Sequence, residues 1–285
     1  MHSRLAQALW LSSTTIKKLE MNNDLRKKEA MEAFGRLLDI MDELREKCPW
    51  DKSQTMDTIR PLTIEETYEL SDSILQNDMS SIQKELGDIL LHIVFYSKIA
   101  DEQKAFDIAD VIDSLSKKLI YRHPHIYGDV KVNNSNEVIQ NWEQLKMKEK
   151  DGNKTVLSGV PSSLPALIKA NRIQEKVRAV GFDWEEPNQV WDKVAEEMEE
   201  LRTEIRKGNT EKMEQEFGDF LFSMVNVARL FNIDPETALE RTNRKFMKRF
   251  NYLESKTIKQ GQSLKDMTLD QMNVIWEEAK QFDKE

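Results

Sequence analysis

Apolar residues along the chain return every three or four positions, the period of an amphipathic helix. Between Glu29 and Lys47 they fall at Phe34, Leu37, Leu38, Met41 and Leu44. Cys48-Pro49-Trp50-Asp51 stops that helix, because proline disfavours helix in the residue before it. The spacing predicts a second helix opening at Thr63, with Thr63 as N-cap and Glu66 three residues on as in a capping box. It closes at the polar Gln76-Asn77-Asp78. A third spans 80–100, with Ile82, Leu86, Ile89, Leu90, Ile93 and Val94 on its apolar face. Further helices are expected over 108–121, 136–150, 166–180, 188–207, 210–231, 235–254 and 268–282. His123-Pro124-His125 breaks one of them, and residues 129–136 read as a polar loop.

Composition agrees with the period. Nine glycines and seven prolines in 285 residues are few, while 33% of residues are charged. Such a chain is built of long helices, which excludes a glycine-rich α/β nucleotide fold and an all-β sandwich. The 39% hydrophobic share fills a core, so wholesale disorder is excluded too. The fold class is all-α. Composition changes between Lys150 and Pro165, where Gly152, Gly159, Pro161 and several serines make the best linker in the chain. The expected division is a tail outside the fold at 1–24, a helical domain at 25–150, a linker at 151–165 and a second helical domain at 166–285.

The second domain repeats the first. Glu65-Glu66-x-x-Glu69 returns as Glu196-Glu197-x-x-Glu200, and Glu85-Leu86-Gly87-Asp88 as Glu216-Phe217-Gly218-Asp219, both 131 residues on. Lys118-x-x-x-Arg122 returns as Lys245-x-x-x-Arg249 at 127, and Trp142-x-x-x-Lys146 as Trp276-x-x-x-Lys280 at 134. Two repeats of this size are tandem domains rather than a solenoid.

The repeated residues carry chemistry. Residues three or four apart share a helix face, so Glu197 and Glu200 lie together, as do Glu216 and Asp219 on the next helix. Two antiparallel helices would bring both pairs together, and an all-oxygen cluster suits Mg²⁺, with Mn²⁺ as a substitute. Glu66, Glu69, Glu85 and Asp88 repeat the arrangement. A single E-E-x-x-E is more often a solvated face; the paired copies make the case. A di-iron bundle needs Glu-x-x-His pairs, and none of the four histidines stands three residues after a cluster glutamate. Gly87 and Gly218, costly inside helices, imply a close backbone approach such as a crossing helix. Lys118 with Arg122, and Lys245 with Arg249, can hold phosphate oxygens or form an ordinary salt-bridged face. Trp276 with Lys280, and Trp142 with Lys146, can meet a base and a phosphate or pack in the bundle. Phe182-Asp183-Trp184 and Pro49-Trp50-Asp51 either wall a base pocket or staple a helix entry.

The net charge of −9 disfavours nucleic acid as a partner. No run approaches the length of a membrane span, and a single cysteine, Cys48, fits a cytoplasmic protein.

These motifs resemble the MazG family of nucleoside triphosphate pyrophosphohydrolases over about residues 25–285. The resemblance rests on C-P-W-D (48–51), L-x-x-E-E-x-x-E-L (62–70), E-L-G-D (85–88), R-H-P-H (122–125), the linker 156–167, V-G-F-D-W (180–184) and E-F-G-D (216–219). It implies an all-α, Mg²⁺-dependent, usually dimeric enzyme that converts nucleoside triphosphates such as ATP to monophosphate and pyrophosphate. By the same resemblance Glu197, Glu200, Glu216 and Asp219 match metal ligands, with Glu196 their neighbouring carboxylate and the candidate proton acceptor. Lys212, Lys245, Arg249, Trp276 and Lys280 match nucleotide contacts. In the first repeat Glu66, Glu69, Glu85 and Asp88 match the ligands, but Ser81 stands where the second repeat has Lys212. The same layout admits a narrow dUTP or dCTP pyrophosphatase, or a nucleotide- or alarmone-binding scaffold without turnover.

Overall fold

The computed structural model describes residues 13–149, 155–259 and 261–284, and among them every regular element is helical. The order is α1 (Ser13–Lys47), α2 (Pro49–Ser53), α3 (Met56–Gln76), α4 (Met79–Glu102), α5 (Ile108–Arg122), α6 (Pro124–Tyr127), α7 (Ser135–Lys148), α8 (Ala166–Ala179), α9 (Pro187–Lys207), α10 (Thr210–Leu230), α11 (Pro235–Lys259) and α12 (Leu269–Ala279). Short 3-10 turns occupy Leu264–Asp266 and Lys280–Lys284. The helix expected from Glu29 begins at Ser13, so residues 13–24 of the expected tail belong to α1, and residues 1–12 lie outside the described residues.

Thr63 is not a helix cap. Thr55 caps α3 instead, in a reciprocal pair with Thr58. Pro61 stands inside α3, past its first turn, where it forfeits one intrahelical bond. Thr63 sits inside α3, where its hydroxyl meets the Ile59 carbonyl and, at 2.7 Å, the Tyr96 hydroxyl of α4. His123-Pro124-His125 does break α5, and the chain restarts at once as α6.

The chain forms two compact units, residues 1–120 and 121–285. They part near the end of α5, whereas the sequence places its linker at 151–165; α7 packs on α8 and so groups with the helices that follow it. In the first unit α3 and α4 pair along their length and α1 lies against α4. Met41, Ile59, Val94, Phe95 and Ile99 form its core, with Phe34, Leu37, Leu38, Leu91 and Tyr96 around them. In the second, α9 and α10 pair in the same way, and α8 packs against both α10 and α11. Val190, Val194 and Val227 are the core there, flanked by Phe220 and Leu230. Leu253 of α11 and Ile275 and Ala279 of α12 are also buried.

The apolar face expected on α4 is only partly used. Val94 is buried, but Leu86, Leu90 and Ile93 are exposed, and burial shifts to His92, Phe95 and Ile99. The repeat-equivalent residues Phe217, Leu221 and Met224 of α10 are exposed as well. Gly87 and Gly218 lie beside these stripes, and a Cβ at either would meet nothing within 4 Å. The close approach expected at the glycines is therefore not made inside either unit.

Met41 and Ile59 are each 1% exposed. Met41→Ala is expected to destabilise the first unit by about 2–5 kcal/mol through lost contacts and a residual cavity. Urea unfolding checks this, and an unchanged midpoint would contradict the core assignment.

Candidate active site

A helical hairpin builds a candidate site in each unit. Gly208 ends α9 in the left-handed conformation at φ 72°, a region glycine enters without a Cβ penalty. Asn209 then caps α10, accepting from the Lys212 backbone N–H. The first unit repeats this one for one. Asn77 ends α3 at φ 55°, and Asp78 caps α4 by accepting from the Ser80 and Ser81 N–H groups. A two-residue reversal leaves no slack, so carboxylates on the last turns of one helix face those on the first turns of the next.

In the second unit Glu197, Glu200 and Glu216 bring carboxylate oxygens within 4.8 Å of one another. In the first, Glu66, Glu85 and Asp88 do so. Glu66 and Glu197 are equivalent, as are Glu85 and Glu216. Glu200 completes one cluster, while Asp88, the counterpart of Asp219, completes the other. Asp219 and Glu69 stand outside the two triads, yet their charges still act on Glu216 and Glu66. Burial, then the carboxylates of Glu200, Asp219, Glu197 and Glu204, push the Glu216 pKa up. Burial and the charges of Asp88, Glu69 and Glu85 do the same to Glu66. The clusters fit a hard divalent cation: their donors are all oxygens, and Glu66 Oε2 is buried with no hydrogen-bond partner.

Each cluster also holds a lysine that the sequence reading passed over. Lys193 pairs with Glu197 at 2.7 Å and with Glu196 at 3.1 Å. These two carboxylates hold its pKa above the usual lysine value. Lys84 pairs with Glu85 at 3.1 Å and with Asp88 at 3.5 Å. The two lysines are not repeat equivalents, since the matching positions are Leu62 and Gln215. The i, i+4 spacings Lys193–Glu197 and Lys84–Asp88 were the available signal. Glu204, buried on α9 and held on one oxygen by Lys207 at 2.7 Å, was passed over too. Its other oxygen has no partner. His92 is buried as a packing residue; burial lowers its pKa against the opposing charge of Asp88.

The arginines and tryptophans among the candidates make contacts of their own. The Arg249 guanidinium lies over the Trp276 ring at 5.5 Å and binds Asp283. Phe246 packs against the same indole, with centroids 5.0 Å apart. Arg122 lies over Trp142 at 5.6 Å and makes a two-pronged bond to Glu149, both contacts at 2.7 Å. Asp283 follows Glu149 by 134 residues, the offset of the tryptophans, so an acidic partner for the arginine is a repeated feature that the motif reading missed. Lys280, just past the end of α12, pairs with Glu277 of that helix, and Lys146 lies 5.8 Å from the Trp142 ring centroid. Lys118, Lys212 and Lys245 are exposed. At Ser81, the counterpart of Lys212, the hydroxyl bonds Asp78. Lys118 falls in the first unit, while Arg122, Trp142 and Lys146 fall in the second.

A cavity of about 570 Å³ opens beside the second cluster, with Lys193, Glu197 and Asp219 on its wall. Phe182, Trp184 and Phe222 supply its aromatic lining. Of the two roles open to Phe182-Asp183-Trp184, the structure makes it a pocket wall. Arg229, 8% exposed, binds both carboxylate oxygens of Asp183 and the amide oxygen of Asn226. Burial pushes Asp183 up, but the bonds from Arg229 and from the Trp184 N–H prevail and hold its pKa below the usual range. In the first unit Trp50, which precedes the other carboxylate hairpin, is exposed, as Trp184 also is. A smaller cavity there, of about 210 Å³, is lined by Leu38, Met41, Asp42 and Val94 rather than by the carboxylates.

A sequence profile of the MazG nucleotide pyrophosphohydrolase domain matches residues 54–127 and again 185–253. The chain is 41% identical over 257 residues to the nucleoside triphosphate pyrophosphohydrolase of Escherichia coli K12, covering 88% of this chain and 98% of that protein. It is 42% identical over 260 residues to the nucleoside triphosphate pyrophosphohydrolase/pyrophosphatase MazG of Thermotoga maritima, covering 90% and 99%. A Bacillus subtilis protein, YabN, is 43% identical over 255 residues, which is 88% of this chain and 52% of that one.

Crowded carboxylates make a testable prediction. A carboxyl whose folded-state pKa is raised costs stability where it is ionised, and that cost fades as pH falls towards its unfolded value. In the metal-free protein Glu216→Gln is therefore expected to raise the melting temperature by a few degrees at neutral pH. The gain should shrink at about pH 4. Scanning calorimetry in EDTA checks this, and a lower melting temperature at neutral pH would contradict it.

Proposed function

The chain belongs to the MazG nucleotide pyrophosphohydrolase family, and on that premise we propose that it hydrolyses nucleoside triphosphates to monophosphate and pyrophosphate with Mg²⁺. The observation that carries this reading is the second carboxylate cluster opening onto an aromatic cavity. Glu197, Glu200, Glu216 and Asp219 would hold the cation, with Mn²⁺ as a substitute. Bound there, the ion supplies Lewis acidity towards phosphate oxygens and a more acidic water. Water adds across the α–β anhydride; the P–O bond to the leaving pyrophosphate breaks, and the water's proton goes to a carboxylate. Glu196, exposed beside the cluster and paired with Lys193, is our candidate for that proton. Lys212, Lys245, Arg249 and Lys280 are assigned to the phosphates, where they offset developing charge. Trp276, stacked under Arg249, orients that guanidinium.

We assign most of the turnover to the second repeat, 166–285, and a supporting or regulatory role to the first, 25–150. Two differences support this. Ser81 replaces Lys212, and the aromatic cavity accompanies the second cluster. The equivalents in the first repeat, Glu66, Glu69, Glu85 and Asp88, are assigned to metal binding, and Lys118, Arg122, Trp142 and Lys146 to a nucleotide.

We further propose a homodimer. Leu86, Leu90 and Ile93, and their equivalents Phe217, Leu221 and Met224, are uncovered within their units, and Gly87 and Gly218 leave room for another backbone. A second copy, carrying the same stripes, satisfies both needs. No described helix is long and apolar enough to cross a membrane, and the free thiol of Cys48 fits our assignment to the cytoplasm.

Two substitutions test the assignment. Glu197→Gln is expected to lower pyrophosphate release from ATP by about a hundredfold or more, and the equivalent Glu66→Gln by less than about threefold. Equal losses would mean two working sites. Undiminished pyrophosphate release in excess EDTA would overturn the metal requirement.

A further inference from the structure

We propose that Asp283 is a positioning residue for the nucleotide: it holds the Arg249 guanidinium in one place before the phosphates arrive. The proposal rests on the assignment of Arg249 to the phosphates and deepens it. A long side chain that must be ordered by its ligand weakens binding, because the ordering consumes part of the interaction. Arg249 is ordered already. Asp283 accepts from its Nε at 2.9 Å and also from its Nη2. The guanidinium lies over the Trp276 ring at 5.5 Å, and Phe246 packs on that indole with centroids 5.0 Å apart. One edge and one face of the guanidinium are therefore engaged. Among the described residues its Nη1 makes no bond, and a guanidinium nitrogen can only donate.

Two observations set this pair apart from a chance meeting of surface charges. The first is how it is held. The side chains of Arg249 and Asp283 are 16% and 21% exposed, unlike the open ion pairs that contribute little. Asp283 stands in the 3-10 turn Lys280–Lys284, and α11 grips that turn at two further points. Lys248 Nζ donates to the Phe282 carbonyl at 2.9 Å, and the Tyr252 and Phe282 rings lie 5.1 Å apart. The second is repetition. Arg122 gives the same two nitrogens, Nε and Nη2, to Glu149 and lies over Trp142 at 5.6 Å. There His123 meets the indole, at 4.8 Å. The acid and the packing ring differ between the copies, yet the edge taken and the face covered are the same. Glu149 thus does for Arg122 what Asp283 does for Arg249. On charge alone a carboxylate beside a phosphate-binding arginine is a handicap, since it repels the ligand. Its presence in both copies points to the arginine's geometry as what it serves.

The test is initial-rate pyrophosphate release from ATP, with Mg²⁺ and the full chain. Asp283→Ala is expected to lower kcat/KM by about three- to tenfold, the worth of ordering one long side chain on binding, and mainly by raising KM. Asp283→Glu should restore the KM, because a glutamate fills this place in the other repeat. In the Arg249→Gln background, Asp283→Ala should make no further difference, since Asp283 acts through the arginine. A lower KM in Asp283→Ala would mean that the carboxylate competes with phosphate for Arg249, and would overturn the proposal. So would an equal loss with and without Arg249, which would make Asp283 a support of the C-terminal turn alone. Unchanged kinetics in Arg249→Gln would overturn both the proposal and the phosphate assignment. If Asp283→Ala does not fold, Asp283→Asn keeps the shape, removes the charge and reads the same sign. Absence of pyrophosphate from the unaltered protein would instead overturn the underlying activity.

Discussion

Like charges forced together are the constraint from which the rest of the molecule follows. Each repeat sets carboxylates from two helices within 4.8 Å of one another, an arrangement that is unfavourable unless something positive is near. The helices tolerate it because they pack against one another, α3 on α4 in one unit and α9 on α10 in the other. The left-handed residue at each reversal, Asn77 or Gly208, holds the two arms in register. Lys84 and Lys193 relieve part of the repulsion, and each approaches its cluster from a different helix. The hairpin is shared by both repeats, whereas the charge balance around it is particular to each.

That difference separates what the sequence could disclose from what it could not. Helix periodicity is a local property, so α4, α5, α8, α9 and α10 were legible to within a residue or two. The start of α3 was not, because Thr55 and Thr58 cap it by a reciprocal pair and Pro61 looks like a barrier. The carboxylates were legible because their spacing is short and occurs twice. Glu204 was not, since it matters through burial, which no spacing reports. Asp183 and Arg229 lie 46 residues apart and meet only because α10 packs on α8. The acidic partners of Arg122 and Arg249 were readable in principle at the tryptophans' offset, but a motif search for phosphate-binding cations does not look for carboxylates.

The two copies have kept their backbone design and diverged in their side chains. The N-caps Asp78 and Asn209 are equivalent, yet at the third helical position one repeat has a serine turned back onto its cap and the other an exposed lysine. The tryptophans before the carboxylate hairpins, Trp50 and Trp184, are both exposed, and Trp184 lines a cavity. Duplication of this kind lets one copy hold the architecture while the other is shaped by its ligand.

The uncovered stripes on α4 and α10 change what a stability measurement on this chain would mean. Leu86, Leu90 and Ile93, like Phe217, Leu221 and Met224, are leucine-sized groups left facing water. In the proposed homodimer a second copy covers them, and unfolding is then not a property of the single chain, because dissociation and melting share one equilibrium. The melting temperature then climbs with protein concentration, and dilution acts as a denaturant. For such a homodimer a freshly made chain is in the same position as a diluted one: until it meets its like, the surface it most needs to hide is the one it displays.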